Sequence, residues 1–218
     1  MKRLIIIGEG QTEQSFCNDV LKPYFLKKNI VVFNPTIKKS KGGIVVWEKL
    51  KKQIETHLKQ DSCVFVTLLI DYYGIKDKHE FPKWNESKTI INKPDRMDFL
   101  EKEMYDRIDY SLRNRFIPYI QLHEFEALLF SDKDVFEKSF EIDEFADYNY
   151  LLKTISDFSN PEDINDRPDT APSKRLERII RDYRKVIYGS AIAQDIGLHK
   201  IMLKCPRFKA WIQLLESV

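Results

Sequence analysis

The chain has little of three things that would narrow its class at once. Its three cysteines, Cys17, Cys63 and Cys205, are widely spaced; with no CxxC pair and no even count, they do not suggest a disulfide framework and read as reduced thiols. Long hydrophobic runs are missing too. The apolar stretch after Met1-Lys2-Arg3 extends only from Leu4 to Ile7, too short for a signal-peptide core, and nothing later approaches a membrane span. An excess of one charge is also absent, with 36 Lys and Arg against 34 Asp and Glu. Any contact with nucleic acid must therefore come from a local patch. The expectation is a soluble, cytoplasmic protein without disulfides or a membrane partner. At 218 residues it is long enough for one substantial core with an added helical lobe.

What is present is organised around Leu4-Ile5-Ile6-Ile7-Gly8-Glu9-Gly10-Gln11-Thr12-Glu13. A short β-branched run ending at glycines that flank a carboxylate predicts a buried strand and a sharp turn into a helix, with Thr12 as its N-cap. Glu9 then stands at the carboxyl end of a central strand, the edge where open α/β sheets bind ligands. Glu13 falls in the first helical turn, near Glu9. Two carboxylates so placed repel unless they share a cation or a proton, which points to a metal site. The plainer alternative is a surface turn whose acids complement the helix dipole.

Phe16, Val20, Leu21 and Phe25 continue as a helix to about Lys28, with a kink at Pro23. Ile30 to Ile37 reads as a second strand. The loop Lys38-Lys39-Ser40-Lys41-Gly42-Gly43 is basic and glycine-containing, suited either to phosphate contact through Lys39 and Lys41 or to being a solvated turn. Val46, Leu50, Ile54 and Leu58 step by four as a second helix. Cys63 to Ile70 is apolar on both faces, as a central parallel strand should be, and it delivers Asp71 to its carboxyl end beside Gly74. Alternating strands and helices predict right-handed crossovers in a parallel sheet, so Glu9 and Asp71 face one mouth.

Residues 74–94 read as a long polar and aromatic loop, a functional flap rather than a tidy turn. Tyr72, Tyr73, Phe81 and Trp84 there offer either a stacking platform for single strands or ordinary packing. Leu100, Met104, Ile108 and Leu112 define a third helix. Phe116 to Leu122 reads as a fourth strand at a sheet edge because of Pro118, and it runs into His123-Glu124-Phe125-Glu126. Glu124 and Glu126 stand about 200° apart if a helix has begun, so one of them serves the mouth. Glu124, nearer the strand end, is favoured.

From Ser131 to about Asp169 the chain reads as an acidic, loop-like insertion. A helix from Pro172 to Gly189 places Leu176, Ile179, Ile180, Tyr183 and Ile187 on one face and Lys174, Arg178, Arg181 and Lys185 on the other. That basic face is either a phosphate-binding row or a solvated one. The remainder is apolar enough for a small helical lobe, with Cys205-Pro206 between its last two helices.

Glu9 after the first strand and Asp71 after the third resemble the Toprim family of metal-dependent phosphotransfer domains. Glu9-Gly10-Gln11-Thr12-Glu13, His123 to Leu129, Ile196-Gly197-Leu198 and Cys205-Pro206 are most similar to small stand-alone relatives of overcoming-lysogenization-defect nucleases. Those relatives are encoded beside ABC-type ATPases, often in phage-defence loci. The resemblance implies a Toprim-like Rossmannoid α/β fold over residues 1–130, a mostly parallel four-stranded sheet between helices, followed by the acidic insertion and helical lobe of 131–218. It also implies Mg²⁺ or Mn²⁺ held by Glu9, Glu13, Asp71 and Glu124 or Glu126, with Glu9 and Asp71 catalytic in an endonuclease. One departure stands out. Toprim domains carry Asp-x-Asp where this chain has Asp71-Tyr72-Tyr73, so Asp77 or Glu124 must substitute, or one metal is held weakly, or catalysis is lost. The expectation is a nuclease acting on DNA or RNA as the effector of an ATPase. A non-catalytic regulatory module for such a partner and a small-molecule phosphohydrolase are the alternatives.

Overall fold

A computed structural model describes residues 1–38, 43–164 and 167–218. Its centre is a four-stranded sheet in the order β2-β1-β3-β4, from β1 (Lys2–Gly8), β2 (Ile30–Phe33), β3 (Val64–Leu69) and β4 (Phe116–Ile117). All pairings are parallel. Successive side chains of a strand point to opposite faces, and here both faces are covered. Leu4 and Ile6 enter one apolar cluster, while Ile7, Val66 and Leu68 enter the other.

The second cluster is closed by α3 (Trp47–Gln60) and α5 (Lys93–Arg107), through Leu50, Ile54, Leu58, Met97, Leu100 and Met104. The first is closed by α1 (Gln11–Phe16) and α2 (Lys22–Leu26), joined by a π-helical stretch Cys17–Leu21. Pro23 sits at the start of α2, where its missing N–H costs little. Later helices complete that side, and Trp211 stacks on Tyr119 with ring centroids 4.4 Å apart. Trp211 Nε1 also donates to Thr67 Oγ1 at 2.9 Å, which gives the one hydroxyl on the buried face of β3 a partner.

Several expectations are corrected. The fourth strand is two residues long, because Pro118 has no N–H to continue the ladder. The chain rejoins β3 at an isolated bridge between Asp71 and Gln121, held by Gln121 N donating to Ile70 O at 2.8 Å and Tyr72 N to Gln121 O at 3.0 Å. The third helix ends at Arg107, ahead of Ile108 and Leu112. Residues 74–94 fold into 3₁₀ turns and a short helix, α4 (Trp84–Ser87).

The region after Ser131 is helical, not loop-like: α6 (Lys133–Ser139) and α7 (Tyr148–Asp157) bury Val135, Phe136 and Leu151 in the same cluster as β1. The core thus runs continuously across residue 130. The helix expected from Pro172 to Gly189 is two helices, α8 (Pro172–Ile179) and α9 (Lys185–Ile196). Between them Ile180 pairs with Phe145 and Asp182 turns the chain at φ 52°. Gly189 lies inside α9, where an added Cβ would stand 3.2 Å from Thr12 Cγ2; it permits close approach to α1 and does not end the helix. Finally, α10 (Leu198–Lys204) and α11 (Pro206–Ser217) are separated at Cys205 as expected.

The cysteines are free thiols, Cys17 and Cys205 buried and Cys63 exposed. Among the described residues, no helix is long and apolar enough to cross a membrane.

Candidate active site

At the carboxyl edge of β1 and β3 the sheet gathers carboxylates from three segments. Gly8 lies between Leu69 and Thr36 on its two neighbours, so Glu9 emerges at the centre of the edge. Glu9 Oε2 accepts from Asp71 N at 3.1 Å, binding the first strand end to the third. Asp71 Oδ1 in turn accepts from Phe125 N at 2.9 Å, binding the third to the fourth. His123, at φ 65°, turns the backbone so that the 3₁₀ stretch Phe125–Ser131 begins over this mouth.

That turn decides between the two glutamates, and it corrects the preference for Glu124. Glu124 Oε2 accepts from Ser173 N at 2.9 Å at the start of α8, a capping role. Glu126 is fully buried and enters the mouth. Asp77 does not substitute for the missing second aspartate: it is exposed and takes Trp84 Nε1 at 2.7 Å as well as Lys88. Glu13 is buried, and its Oε2 accepts from Gly10 N at 2.8 Å. Gly10, not Thr12, is therefore the residue that caps α1.

The basic row does not form. Lys174 pairs with Glu177 at 2.5 Å and Arg178 with Asp147 at 2.7 Å, while Arg181 is exposed in the turn beyond α8. Lys39 and Lys41 lie outside the described residues. Lys185, the first residue of α9, points into the acidic mouth instead. Its Nζ lies 3.0 Å from Glu126 Oε1 and 3.9 Å from Asp71 Oδ2.

The electrostatics follow from crowding. Burial pushes the Glu9 carboxyl up to about 7, opposed by the Asp71 N–H and reinforced by the charge of Glu13. Burial likewise pushes Glu126 up to about 7 against the pull of Lys185. It also raises Asp71 well above the carboxylate range, again against Lys185. Against its own burial, Lys185 is held above the ordinary ammonium range by Asp71 and Glu126. Apart from the Lys185 ammonium at 3.0 Å, the Glu126 oxygens have no side-chain or backbone hydrogen-bond partner among the described residues. Tyr183 OH is buried without a partner among the described residues, and burial together with Glu126 raises its phenol. Sequence reasoning placed Tyr183 on an apolar face and missed it here.

Gly74 closes the mouth from the far side. An added Cβ there would stand 3.0 Å from Glu9 Oε1 and 3.0 Å from Ile44 Cγ1, so the backbone approaches the carboxylate as only glycine allows.

Glu9, Glu13, Asp71 and Glu126 are hard oxygen donors, the type that holds Mg²⁺ or Mn²⁺. The unpartnered oxygen of Glu126 and the surplus of carboxylates over Lys185 suit such a cation in charge and donor type. Among the described residues, no three of these groups are arranged as a closed metal cage; the charge is arranged around Lys185.

No curated protein and no solved structure matches the chain. A family model described as a domain of unknown function matches residues 8–216, from the glycine before Glu9 to the last turn of α11. The chain belongs to that family, Domain of unknown function (DUF4276).

Proposed function

We propose that the chain is a divalent-metal-dependent nuclease of Toprim type that hydrolyses phosphodiesters. One observation carries the reading: Glu9, Asp71 and Glu126 are delivered by three segments to one edge of a parallel sheet, Asp71 and Glu126 buried and Glu9 half-buried, with one ammonium, that of Lys185, paired with them among the described residues. Carboxylates gathered at that density are costly in a domain that only needs to fold. Perturbed carboxyls in a cleft mark functional sites more often than structural ones.

In this reading Glu9, Asp71 and Glu126 hold the cation, and Glu13 adds negative charge behind them. The bound ion would supply charge neutralisation at the phosphate and a lowered pKa for a water. The residues themselves do the rest. Asp71 N fixes the Glu9 carboxylate and Phe125 N fixes that of Asp71, so neither must reorganise when substrate arrives. Burial pushes the Glu9 carboxyl up to about 7, and a cation held beside it would favour its ionised, ligating form. Lys185 is placed to meet a phosphate oxygen or to compete with the cation for Glu126.

That last possibility favours one second reading. If Lys185 is the resident counter-charge, the domain is a non-catalytic module, and the ABC-type ATPase partner, which enters through the Toprim resemblance alone, would be what it serves. Calorimetric titration of Mn²⁺ and Mg²⁺ into wild type and Glu9→Gln separates the two, alongside incubation of both with plasmid, single-stranded DNA and RNA. The nuclease reading expects metal binding and cleavage that fall together in the variant while its fold persists. Wild type that binds neither ion at millimolar concentration and cleaves nothing refutes it.

A further inference from the structure

Beyond Asp71 the chain builds a second feature that the acidic cluster does not use. Two 3₁₀ turns, Tyr72–Gly74 and Asp77–His79, enclose with α4 and α5 a cleft of about 540 Å³, lined by Tyr72, Tyr73, Lys76, Lys78, Trp84 and Arg96 among others. Its walls are fixed. Trp84 packs on Tyr72 at 5.5 Å between centroids, and Arg96 Nη1 donates to Tyr72 OH at 2.8 Å. Asp77, the carboxylate of the cleft, is taken by Trp84 Nε1 and Lys88. The cleft therefore presents cationic groups without a free acid. Lys76 Nζ stands 5.3 Å from the centre of the half-buried Tyr73 ring, and exposed Lys78 has no carboxylate partner among the described residues. The cleft adjoins the mouth along the chain, because Gly74, between the lining residues Tyr73 and Ile75, is packed against the Glu9 carboxylate.

We infer that this cleft is a subsite for one unstacked nucleobase and its flanking phosphate, so that the strand acted on is single-stranded. The inference rests on the phosphodiester reading above. An aromatic face in a recess can be reached only by a base that has left its helix, whereas a duplex offers base edges and backbone. Tyr73 stacks the base, Lys76 and Lys78 take the phosphate, and the adjoining phosphodiester is led across Gly74 toward Glu9 and Asp71. A base followed by a phosphate is common to DNA and RNA, and the test carries both.

Fluorescence anisotropy is measured with a labelled 12-nucleotide DNA, the RNA of the same sequence and the DNA duplex, all in EDTA. At least one single strand should bind about ten-fold or more tighter than the duplex. Tyr73→Ala should weaken it by about ten-fold, the scale of one lost stacking contact, while Tyr73→Phe retains it. Lys76→Ala with Lys78→Ala should lower the salt dependence of log Kd by about one. Circular dichroism establishes that each variant is folded. Any of the following overturns the inference: equal affinity for duplex and single strand, no effect of Tyr73→Ala, or binding weaker than the non-specific range of about 10⁻⁴ M. A mononucleotide that competes as well as the 12-mer also overturns it, in favour of a small-molecule site. Since no metal is present, these outcomes bear on the cleft alone, and loss of cleavage in Glu9→Gln bears on the acidic cluster alone.

Discussion

Glu126→Gln removes one charge from the buried cluster and keeps the side chain's shape, and it should make the protein more stable at alkaline pH. Glu126 is fully buried, and its carboxyl titrates at about 7 in the folded state against an ordinary 4.5. The folded chain holds that proton more tightly than the unfolded chain, so ionisation opposes folding. The contribution of Glu126 is therefore fully favourable below pH 4.5 and is lost as pH rises through 7. At 1.36 kcal/mol per pH unit, the shift corresponds to about 3 kcal/mol. This is an upper figure, because Glu9 and Asp71 titrate with Glu126 as one set. Glutamine carries no such cost, and Lys185 keeps Asp71 as a partner at 3.9 Å. The variant should match wild type near pH 4 and exceed it by about 2–3 kcal/mol at pH 8, each kcal/mol moving Tm by about 2–4 °C in a chain of this size. Guanidinium unfolding at five pH values, with m unchanged between the proteins, reads the difference directly. A variant less stable than wild type at pH 8, or a difference that does not vary with pH, would refute the electrostatic account. Mg²⁺ at a hundred times its Kd should add about 2.7 kcal/mol to wild type and less to the variant.

Two glycines give sharper steric tests. Gly74→Ala sets a Cβ 3.0 Å from both Glu9 Oε1 and Ile44 Cγ1; it should cost about 1–3 kcal/mol by overpacking and weaken metal affinity at least ten-fold, read by thermal melts and calorimetry. Gly189→Leu forces α9 away from Thr12 and should cost a similar amount in denaturant midpoint, although leucine favours helix over glycine by about 1 kcal/mol; a stabilised variant would contradict the close packing of α9 on α1.

The sheet and the acidic edge were legible because β1 and β3 are apolar runs that lead into carboxylates, Glu9 and Asp71, and parallel topology places such ends together. Glu9, Glu13 and Asp71 stand at the mouth where that reasoning put them. The choice of Glu126 over Glu124 was not legible, since it depends on His123 taking a left-handed backbone, which no neighbouring glycine or proline announces. The break between α8 and α9 was hidden in the same way. Tyr183 and Arg184 continue the amphipathic rhythm, and only the pairing of Ile180 with Phe145 pulls the chain out of helix. Gly189 was misread because glycine serves both as a helix stop and as a site of close approach. The acids between and around α6 and α7, Asp143, Glu144 and Asp147 among them, dominated the reading of this stretch, so a real core face in Val135, Phe136 and Leu151 was diluted below notice. Periodicity placed Lys185 on a polar face but carries no information about what that face meets.

What Lys185 meets explains how so much negative charge can be buried at one edge. Glu9 is held by Asp71 N, Asp71 by Phe125 N and Glu13 by Gly10 N. Each of these carboxylates thus has a backbone donor, the arrangement that stabilises the ionised form. Glu126 has none among the described residues, and it is the carboxylate that the Lys185 ammonium approaches most closely, at 3.0 Å. The lysine therefore supplies a cation where the backbone supplies no donor. It leaves Glu126 Oε2 unpartnered, and its charge is shared with Asp71, so one ammonium does not balance the group. Tyr73 supplies no carboxylate to the cluster, which carries the Lys185 ammonium beside Glu126 and Asp71 instead. A divalent ion entering it would meet less repulsion to relieve and a resident competitor at Glu126, which argues for weaker metal binding than a full set of carboxylates would give. It also makes removal of Lys185, not addition of an acid, the change that would strengthen binding.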